Sequence, residues 1–303
     1  MDKKVGIILL NYKGTKDTFE CVESLEKIEY KNYHIIIVDN HSQDGSYEKL
    51  KAEFGDRHTI IEASDNGGFA KGNNIGIRYA LEQGCDYILL LNNDTLVEKD
   101  FLNKMVECYE RYRDTGIVGP KILYEGNRHL IWYGGGEINL KRFYGFHYGE
   151  GQKDSEEFNK EREITFTTGC TMLISRKVIE KVGALPEEYF MYYEDVDFCM
   201  KVQEEGYKIY YCPKAVIYHK VSASSGGEAS PFAIKWNTRN RLIFMNKYKY
   251  KVPSSSYIIS KLFFYSTRVI KLMEYYIKKE KEKANALITG ISEGRKYNRN
   301  YLR

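Results

Sequence analysis

Tyr87-Ile88-Leu89-Leu90-Leu91-Asn92-Asn93-Asp94 decides the fold, because an unbroken apolar run passes directly into three residues that carry side-chain oxygens. A run this short and this continuously apolar suits a strand buried on both faces. Val5–Leu10 and Ile35–Val38 have the same character, and each is followed by polar residues and then by a stretch with helical spacing. Alternating βα units with a mostly parallel sheet follow from that order. In such sheets ligands bind beyond the carboxyl ends of the strands. Asn11 and Tyr12, Asp39 and Asn40, and Asn92 to Asp94 are therefore the first residues to suspect.

Beyond this half the pattern changes. Gly134-Gly135-Gly136 interrupts it, Asp154–Glu163 is a charged stretch that reads as a loop, and Ile164–Ser175 returns as a strand. Tyr207–Tyr211 and Ala215–His219 read as two further short strands separated by Pro213. From Pro231 onward the spacing turns helical, with Ile258, Leu262, Tyr265, Val269, Leu272 and Tyr276 three or four apart on one face. Lys278–Lys283 reads as a solvated helix face. The expected organisation is one α/β domain over residues 1–230, with a donor half over about 1–125 and a mixed half over about 126–230. A basic, aromatic helical extension occupies 231–303.

A chain of 303 residues buries roughly 75% of the surface its unfolded form exposes, enough for a core without staples. The six cysteines form no CxxC pair and sit mostly in apolar runs, so buried free thiols are expected rather than disulfides or a metal site. The apolar run after Met1 is too short to span a bilayer and has no small-residue cleavage site, so the expected location is the cytoplasmic side. The net charge of +4 hides an asymmetry: residues 231–303 hold seventeen Lys or Arg against four Glu, a net of +13, leaving −9 for residues 1–230. Anionic partners belong to the C-terminal quarter.

Several stretches could carry chemistry. Asp39 closes a strand, where a carboxylate can accept hydrogen bonds from a base or ribose. The glycine-rich turn Asn66–Gly76 opens a helix that could offer N–H groups to phosphate; it matches neither a Walker loop nor GxGxxG, and a plain helix N-terminus explains it equally. Asn92-Asn93-Asp94 supplies the hard oxygen ligands that Mg²⁺ or Mn²⁺ takes, or Asp94 merely caps a helix starting near Val97. In Phe190–Cys199, Glu194, Asp195 and Asp197 follow an aromatic run and precede a helix over Val196–Glu205. A base there stays ionised beside a surface on which a sugar ring can stack, although an acidic helix start looks the same. His219 ends another apolar run, and a lone histidine is usually structural.

Five motifs in order give the chain a resemblance to glycosyltransferase family 2, inverting enzymes of the GT-A fold, and to its rhamnosyltransferase-like branch. They are Ile8–Tyr12, Val38–Ser46, Asn66–Gly76, Leu91–Thr95, and Phe190–Cys199 preceded by Thr168-Gly169-Cys170. The resemblance runs from about Val5 to about Asn246 and implies a Rossmann-like, mostly parallel GT-A sheet. It implies Asn11, Tyr12, Asp39, Asn66, Lys71, Asn74, Asn92, Asn93 and Gly169 as donor-binding residues. It also implies Asp94 and His219 as ligands of a divalent metal, Mg²⁺ or Mn²⁺, on the donor diphosphate, Asp195 as catalytic base, and Glu194 as the neighbour that helps hold the acceptor. Asn92 departs from the Asp found in many members but is common in the rhamnosyltransferase-like branch, which implies modest metal affinity.

The expected reaction moves a sugar from a UDP- or dTDP-sugar to a saccharide or lipid-linked saccharide in cell-surface polysaccharide assembly. Nucleic acid is not an expected partner. Lys261, Arg268, Lys271 and Glu274 interrupt Tyr257–Ile277, so a spanning helix is disfavoured and an amphipathic helix on the inner face of an anionic membrane fits; a packed helix, or one pairing two copies as a homodimer, is the alternative. A catalytically silent sugar- or nucleotide-binding scaffold is a second reading, which Asp94, Glu194 and Asp195 oppose. A sugar-phosphate nucleotidyltransferase is a third, but Asn11-Tyr12-Lys13-Gly14 does not supply the glycine-rich triphosphate loop it needs.

Overall fold

In the computed structural model, which describes residues 2–221 and 229–301, the apolar runs become adjacent parallel strands. β1 (Val5–Asn11), α1 (Thr15–Leu25), β2 (Tyr33–Asp39), α2 (Ser46–Phe54), β3 (Thr59–Glu62), α3 (Gly68–Glu82) and β4 (Tyr87–Asn92) follow in order. The strands pair as β3-β2-β1-β4, all parallel. Ile7, Ile8, Ile36, Ile37, Leu89 and Leu90 are fully buried; each such side chain contributes about 1.5–3 kcal/mol by leaving water. The register sets Asn11 beside Asp39 and Leu10 beside Asn92, so three suspected strand ends share one edge of the sheet.

Next come β5 (Thr95–Val97), α4 (Phe101–Arg111), β6 (Thr115–Tyr124), β7 (Asn127–Tyr133), β8 (Gly136–Asn139) and β9 (Tyr144–His147). They are followed by β10 (Arg162–Ile164), β11 (Thr171–Ser175), α5 (Arg176–Val182), α6 (Glu194–Glu204) and β12 (Lys208–His219). β11 inserts antiparallel between β4 and β6, and β12 lies parallel to β6. The whole is a mostly parallel α/β sheet with a mixed half.

Three local expectations are corrected. The residues after Asp94 form strand β5, not a helix, because Thr95 and Val97 pair antiparallel with His219 and Ile217. Ile164–Ser175 is two strands, and the segment between them carries Thr168, Gly169 and Cys170. Residues 208–219 are one strand; Pro213 lies where the register with β6 shifts between Cys212 and Val216, a bulge that accommodates its missing N–H. All six cysteines are free and buried, as expected.

The chain divides into two compact units. Among described residues, the first holds 2–137, 146–190 and 194–221, and the second holds 138–145, 191–193 and 229–301. In the second unit, α7 (Pro231–Lys247), α8 (Ser254–Ile277) and α9 (Lys281–Tyr301) follow one another. α7 starts on Ser230, whose hydroxyl accepts from the Ala233 N–H, with proline in the first turn. α9 approaches α7 through glycines: a Cβ at Gly290 would stand 2.6 Å from the Lys235 carbonyl oxygen. Asn240 is fully buried and donates to the carbonyls of Met191 and Tyr192 at 2.8 and 2.9 Å, where Tyr192 and Tyr193 hold left-handed φ of 68° and 76°.

One helical expectation changes here. The residues Ile258, Leu262, Val269 and Tyr276 of the apolar stripe are at least half exposed, while Ser260 and Phe264 are the buried residues of α8. Lys278–Lys283 is not a continuous helix face but includes the turn between α8 and α9, with Lys279 at φ 57°.

Candidate active site

Asp94 and His219 meet at the ends of β4 and β12. Pairing of β5 with β12 puts Thr95 opposite His219, and His219 Nε2 comes 3.1 Å from Asp94 Oδ1, both side chains nearly buried. Burial resists a charge on the imidazole, but the neighbouring Cys170 sulfur and the Asp94 carboxylate outweigh it and push the His219 pKa up to about 10. Burial likewise resists the Asp94 charge, and the His219 hydrogen bond and charge overcome it, holding the carboxyl below its usual range. His219 Nδ1 is buried without a hydrogen-bond partner. The pair is thus a carboxylate facing a positive charge in a nearly dry setting, the electrostatics a bound cation would also satisfy. A cation taking that place displaces the imidazole proton.

Asp195 lies in the first turn of α6. Its Oδ2 accepts from the Gly169 N–H at 3.0 Å and its Oδ1 from the Val196 N–H at 2.8 Å. Burial pushes the Asp195 carboxyl up, and those N–H groups partly counter it. Glu194 is buried, its Oε2 has no partner, and burial together with the adjacent Asp195 charge raises it well above the ordinary glutamate range. Two neighbouring carboxyls in a poorly solvated place separate in this way, with one ionised and one protonated. Asp197 is buried and accepts from the Tyr189 hydroxyl at 2.9 Å, a packing role.

The two carboxylate groups are connected through the 168–170 segment. Asn92 N–H donates to the Cys170 carbonyl at 2.8 Å, and Gly169, one residue earlier, holds Asp195. A Cβ at Gly169 would stand 3.1 Å from the Phe69 ring and 3.5 Å from Asp195 Cβ, so the glycine allows ring and carboxylate to close on the same residue. The Asn66–Gly76 turn serves this packing too. Gly68 has φ 81°, a Cβ there would meet the Phe190 carbonyl oxygen at 2.0 Å, and the Phe69 N–H donates to that oxygen at 2.7 Å.

The remaining predicted residues divide by how their polar atoms are used. Asn11 is fully buried, donates to Asp39 at 2.6 Å and accepts from Thr18 and Gly14. It orients Asp39, which also accepts from the Ser42 N–H and hydroxyl. Tyr12 beside them is exposed. Asn66 accepts from Asn40 and from the Gly68 N–H, and Asn93 donates to Thr18 at 2.8 Å, bracing the turn after β1. Lys71 reaches Asp65 at 2.7 Å. Asn74 departs from its expected role: its amide donates to Leu185 O and Glu187 and accepts from Leu185 N–H, so a buried side chain with all its bonds made clamps α3 to the 185–187 segment.

Trp132, His147 and Lys220 were not anticipated. Trp132 stands edge-on to His219 with ring centroids 4.4 Å apart and to His147 at 4.7 Å. Burial holds His147 down to about 4, so that ring is neutral. Lys220 donates its N–H to the Asp94 carbonyl at 3.0 Å and its ammonium to Asp17 at 2.7 Å. A tryptophan in a strand of alternating burial carries no motif; only the fold of β7 toward β12 reveals it.

Comparison with known proteins shows the family and the fold. The profile of glycosyl transferase family 2 matches residues 6–183. The low-salt glycan biosynthesis hexosyltransferase Agl10 of Haloferax volcanii is 26% identical over 243 residues, covering 80% of this chain and 75% of that protein. The dTDP-rhamnosyl transferase RfbF of Shigella flexneri is 25% identical over 311 residues, covering 98% of this chain and all of that protein. A mannosyltransferase of Pyrobaculum calidifontis, solved with GDP-mannose and Mn²⁺, shares the fold with a TM-score of 0.60 at 14% identity, over 99% of this chain and 76% of its own. The fold is of the GT-A type.

Proposed function

Since the chain belongs to glycosyl transferase family 2, we propose that it is a metal-dependent, inverting glycosyltransferase acting on a dTDP- or UDP-sugar. The observation that carries this reading is the Asp94–His219 pair, 3.1 Å apart and joined through Asn92, Cys170 and Gly169 to a second carboxylate, Asp195. One site thereby holds a place for a cation and a base. The full-length likeness to a dTDP-rhamnosyl transferase supports a dTDP-linked deoxyhexose as donor. The acceptor is a saccharide or lipid-linked saccharide of cell-surface polysaccharide assembly.

Asp94 and His219 would hold the cation. One carboxylate oxygen with one imidazole nitrogen is a set that Mn²⁺ accepts, whereas Mg²⁺ prefers oxygen alone. When bound, the ion stabilises negative charge on the departing nucleoside diphosphate. With few carboxylates at the site, the donor phosphates would have to supply the rest of its ligands. Asp39, held by Asn11 and Ser42, and the exposed Tyr12 serve the nucleoside, with the 66–71 turn and Asn93 shaping that side. Asp195, oriented by the Gly169 and Val196 N–H groups, takes the proton of the acceptor hydroxyl. A bond forms between that oxygen and the anomeric carbon as the bond to diphosphate breaks on the opposite face. Glu194 keeps its proton and helps position the acceptor. Residues 1–230 form the transferase domain in this reading, and 231–303 its extension.

The test is a panel of dTDP- and UDP-sugars incubated with Mn²⁺, scored for nucleoside diphosphate release, with the anomeric configuration of the product read by NMR. Release dependent on Mn²⁺ and a product of inverted configuration are expected. Release unaffected by chelator, or a retained configuration, overturns the reading.

A further inference from the structure

Cys108 and Cys212 come together in the first unit where α4 packs on β12, and both are buried. Glu161 joins them through the sheet: β10 runs antiparallel to β12 with Arg162 opposite Tyr211, which brings the preceding residue beside Cys212. The two sulfurs and a Glu161 carboxylate oxygen lie within 4.8 Å of one another, the one such cluster of three among the described residues. Ligands about 2.0–2.3 Å from a tetrahedral zinc stand roughly 3.3–3.8 Å apart, so small side-chain movements close the set. The cysteine spacing hides this group, because its members come from a helix, a strand and the residue before a second strand.

The surroundings suit a cation held by thiolates. Arg111, three residues after Cys108 and on the same side of α4, donates to both Glu161 oxygens at 2.7 and 2.6 Å, and the Tyr112 hydroxyl donates to Oε1 at 2.9 Å. Carboxylates that ligate metals are oriented by hydrogen bonds of this kind. With both thiols deprotonated, the sulfurs and the carboxylate carry three negative charges; Arg111 offsets one and a divalent ion the other two, leaving the group neutral. The contact with Cys108, followed by the Ala215 and Lys214 N–H groups, lowers the Cys212 thiol despite its burial, while the contact with Cys212 and burial raise Cys108. The pair therefore gives up one proton readily and holds the other, which a bound metal would displace. Two sulfurs select a soft or borderline ion over Mg²⁺ or Mn²⁺. The Glu161 side chain is 17% exposed, so the ion has an entry on that side and its fourth position faces solvent. We propose that Cys108, Cys212 and Glu161 form a zinc site that straps α4 and the start of β10 to β12. None of the three takes part in the transfer reaction, and the site stands without it.

The experiment uses the full chain, freed of metal with a chelator and kept reduced, with no sugar nucleotide present. It is titrated with Co²⁺, a stand-in for Zn²⁺ whose bonds to thiolate give a strong near-ultraviolet charge-transfer band. The expected result is one equivalent of that band, erased by Zn²⁺, lost in Cys108→Ser/Cys212→Ser and retained in His219→Ala; circular dichroism checks each fold. Glu161→Gln leaves both thiols in place and weakens Zn²⁺ binding roughly tenfold or more, which keeps the proposal open to refutation even where the double cysteine variant fails to fold. Absence of the band in the wild type, its survival without both cysteines, or unchanged Zn²⁺ affinity in Glu161→Gln overturns the proposal. So does a band lost in His219→Ala, which would place the thiolate at Cys170 beside Asp94 and His219. Failure here leaves the transferase assignment untouched.

Discussion

Asn92 and Cys170 are joined by a 2.8 Å hydrogen bond from the amide of one to the carbonyl of the other. That bond continues the pairing of β4 with β11 past Leu91 and Thr171. It ties the residues around Asp94 to the segment in which Gly169, one residue earlier, holds Asp195 through its N–H, so the two carboxylates are set by one backbone ladder rather than by independent loops.

If Asp195 takes the acceptor proton, Asp195→Asn lowers kcat by roughly 10²–10⁴ while the affinity for donor and metal, followed by calorimetry, stays near that of wild type. Equal loss of both would count against Asp195 as base.

Removing metal by chelation abolishes transfer, and adding Mn²⁺ restores it. Asp94→Asn and His219→Ala raise the Mn²⁺ needed for half-maximal rate. Trp132→Leu, which removes the ring edge from His219, raises it by roughly 10- to 100-fold, less than loss of His219 itself. The readout is activity against free Mn²⁺.

The rate falls as pH drops through the Asp195 pKa, since transfer needs its carboxylate ionised. Burial raises that pKa, so the acid limb of kcat/KM lies above the ordinary aspartate range.

Stability follows Glu194 in the opposite sense. Its pKa is raised by folding, so above the ordinary glutamate range the native state binds more protons than the unfolded chain and stability declines as pH rises toward the native pKa. Glu194→Gln removes its share of that decline and leaves the share of Asp195, also raised by burial; urea unfolding of both forms at mildly acidic and mildly alkaline pH measures the difference.

Gly68→Ala destabilises more than Gly45→Ala. Both positions hold φ near 80°, but a methyl meets open space at Gly45 and the Phe190 carbonyl at Gly68. The left-handed conformation alone costs about 1–2 kcal/mol, so the excess at Gly68, from urea midpoints, reports the contact between the turn and the aromatic run.

How much of this was legible in the residues depends on range. Val5–Leu10, Ile35–Val38 and Tyr87–Leu91 announced their strands because burial on both faces leaves no polar position. Asp94 and Asp195 stood out through the polar residues that end such runs. Thr95–Val97 was misread because three residues cannot display a period, and their partner, β12, lies far along the chain. Asn74 was misread because its clamp partners at 185–187 are remote in sequence. The stripe on α8 was correctly apolar, but periodicity says which side of a helix is greasy and not whether anything lies against it.

The bulge at Pro213 has a consequence for how this chain tolerates change. Between Cys212 and Val216 the strand advances four residues while β6 advances from Pro120 to Lys121. The surplus acts as an expansion joint: a residue gained or lost among 213–215 is taken up there, leaving the imidazole at 219 on its side of the pleat. The same indel after Val216 has no slack to absorb it and turns that side chain to the other face of the sheet. Length variation in this strand should therefore be confined to the stretch before Val216.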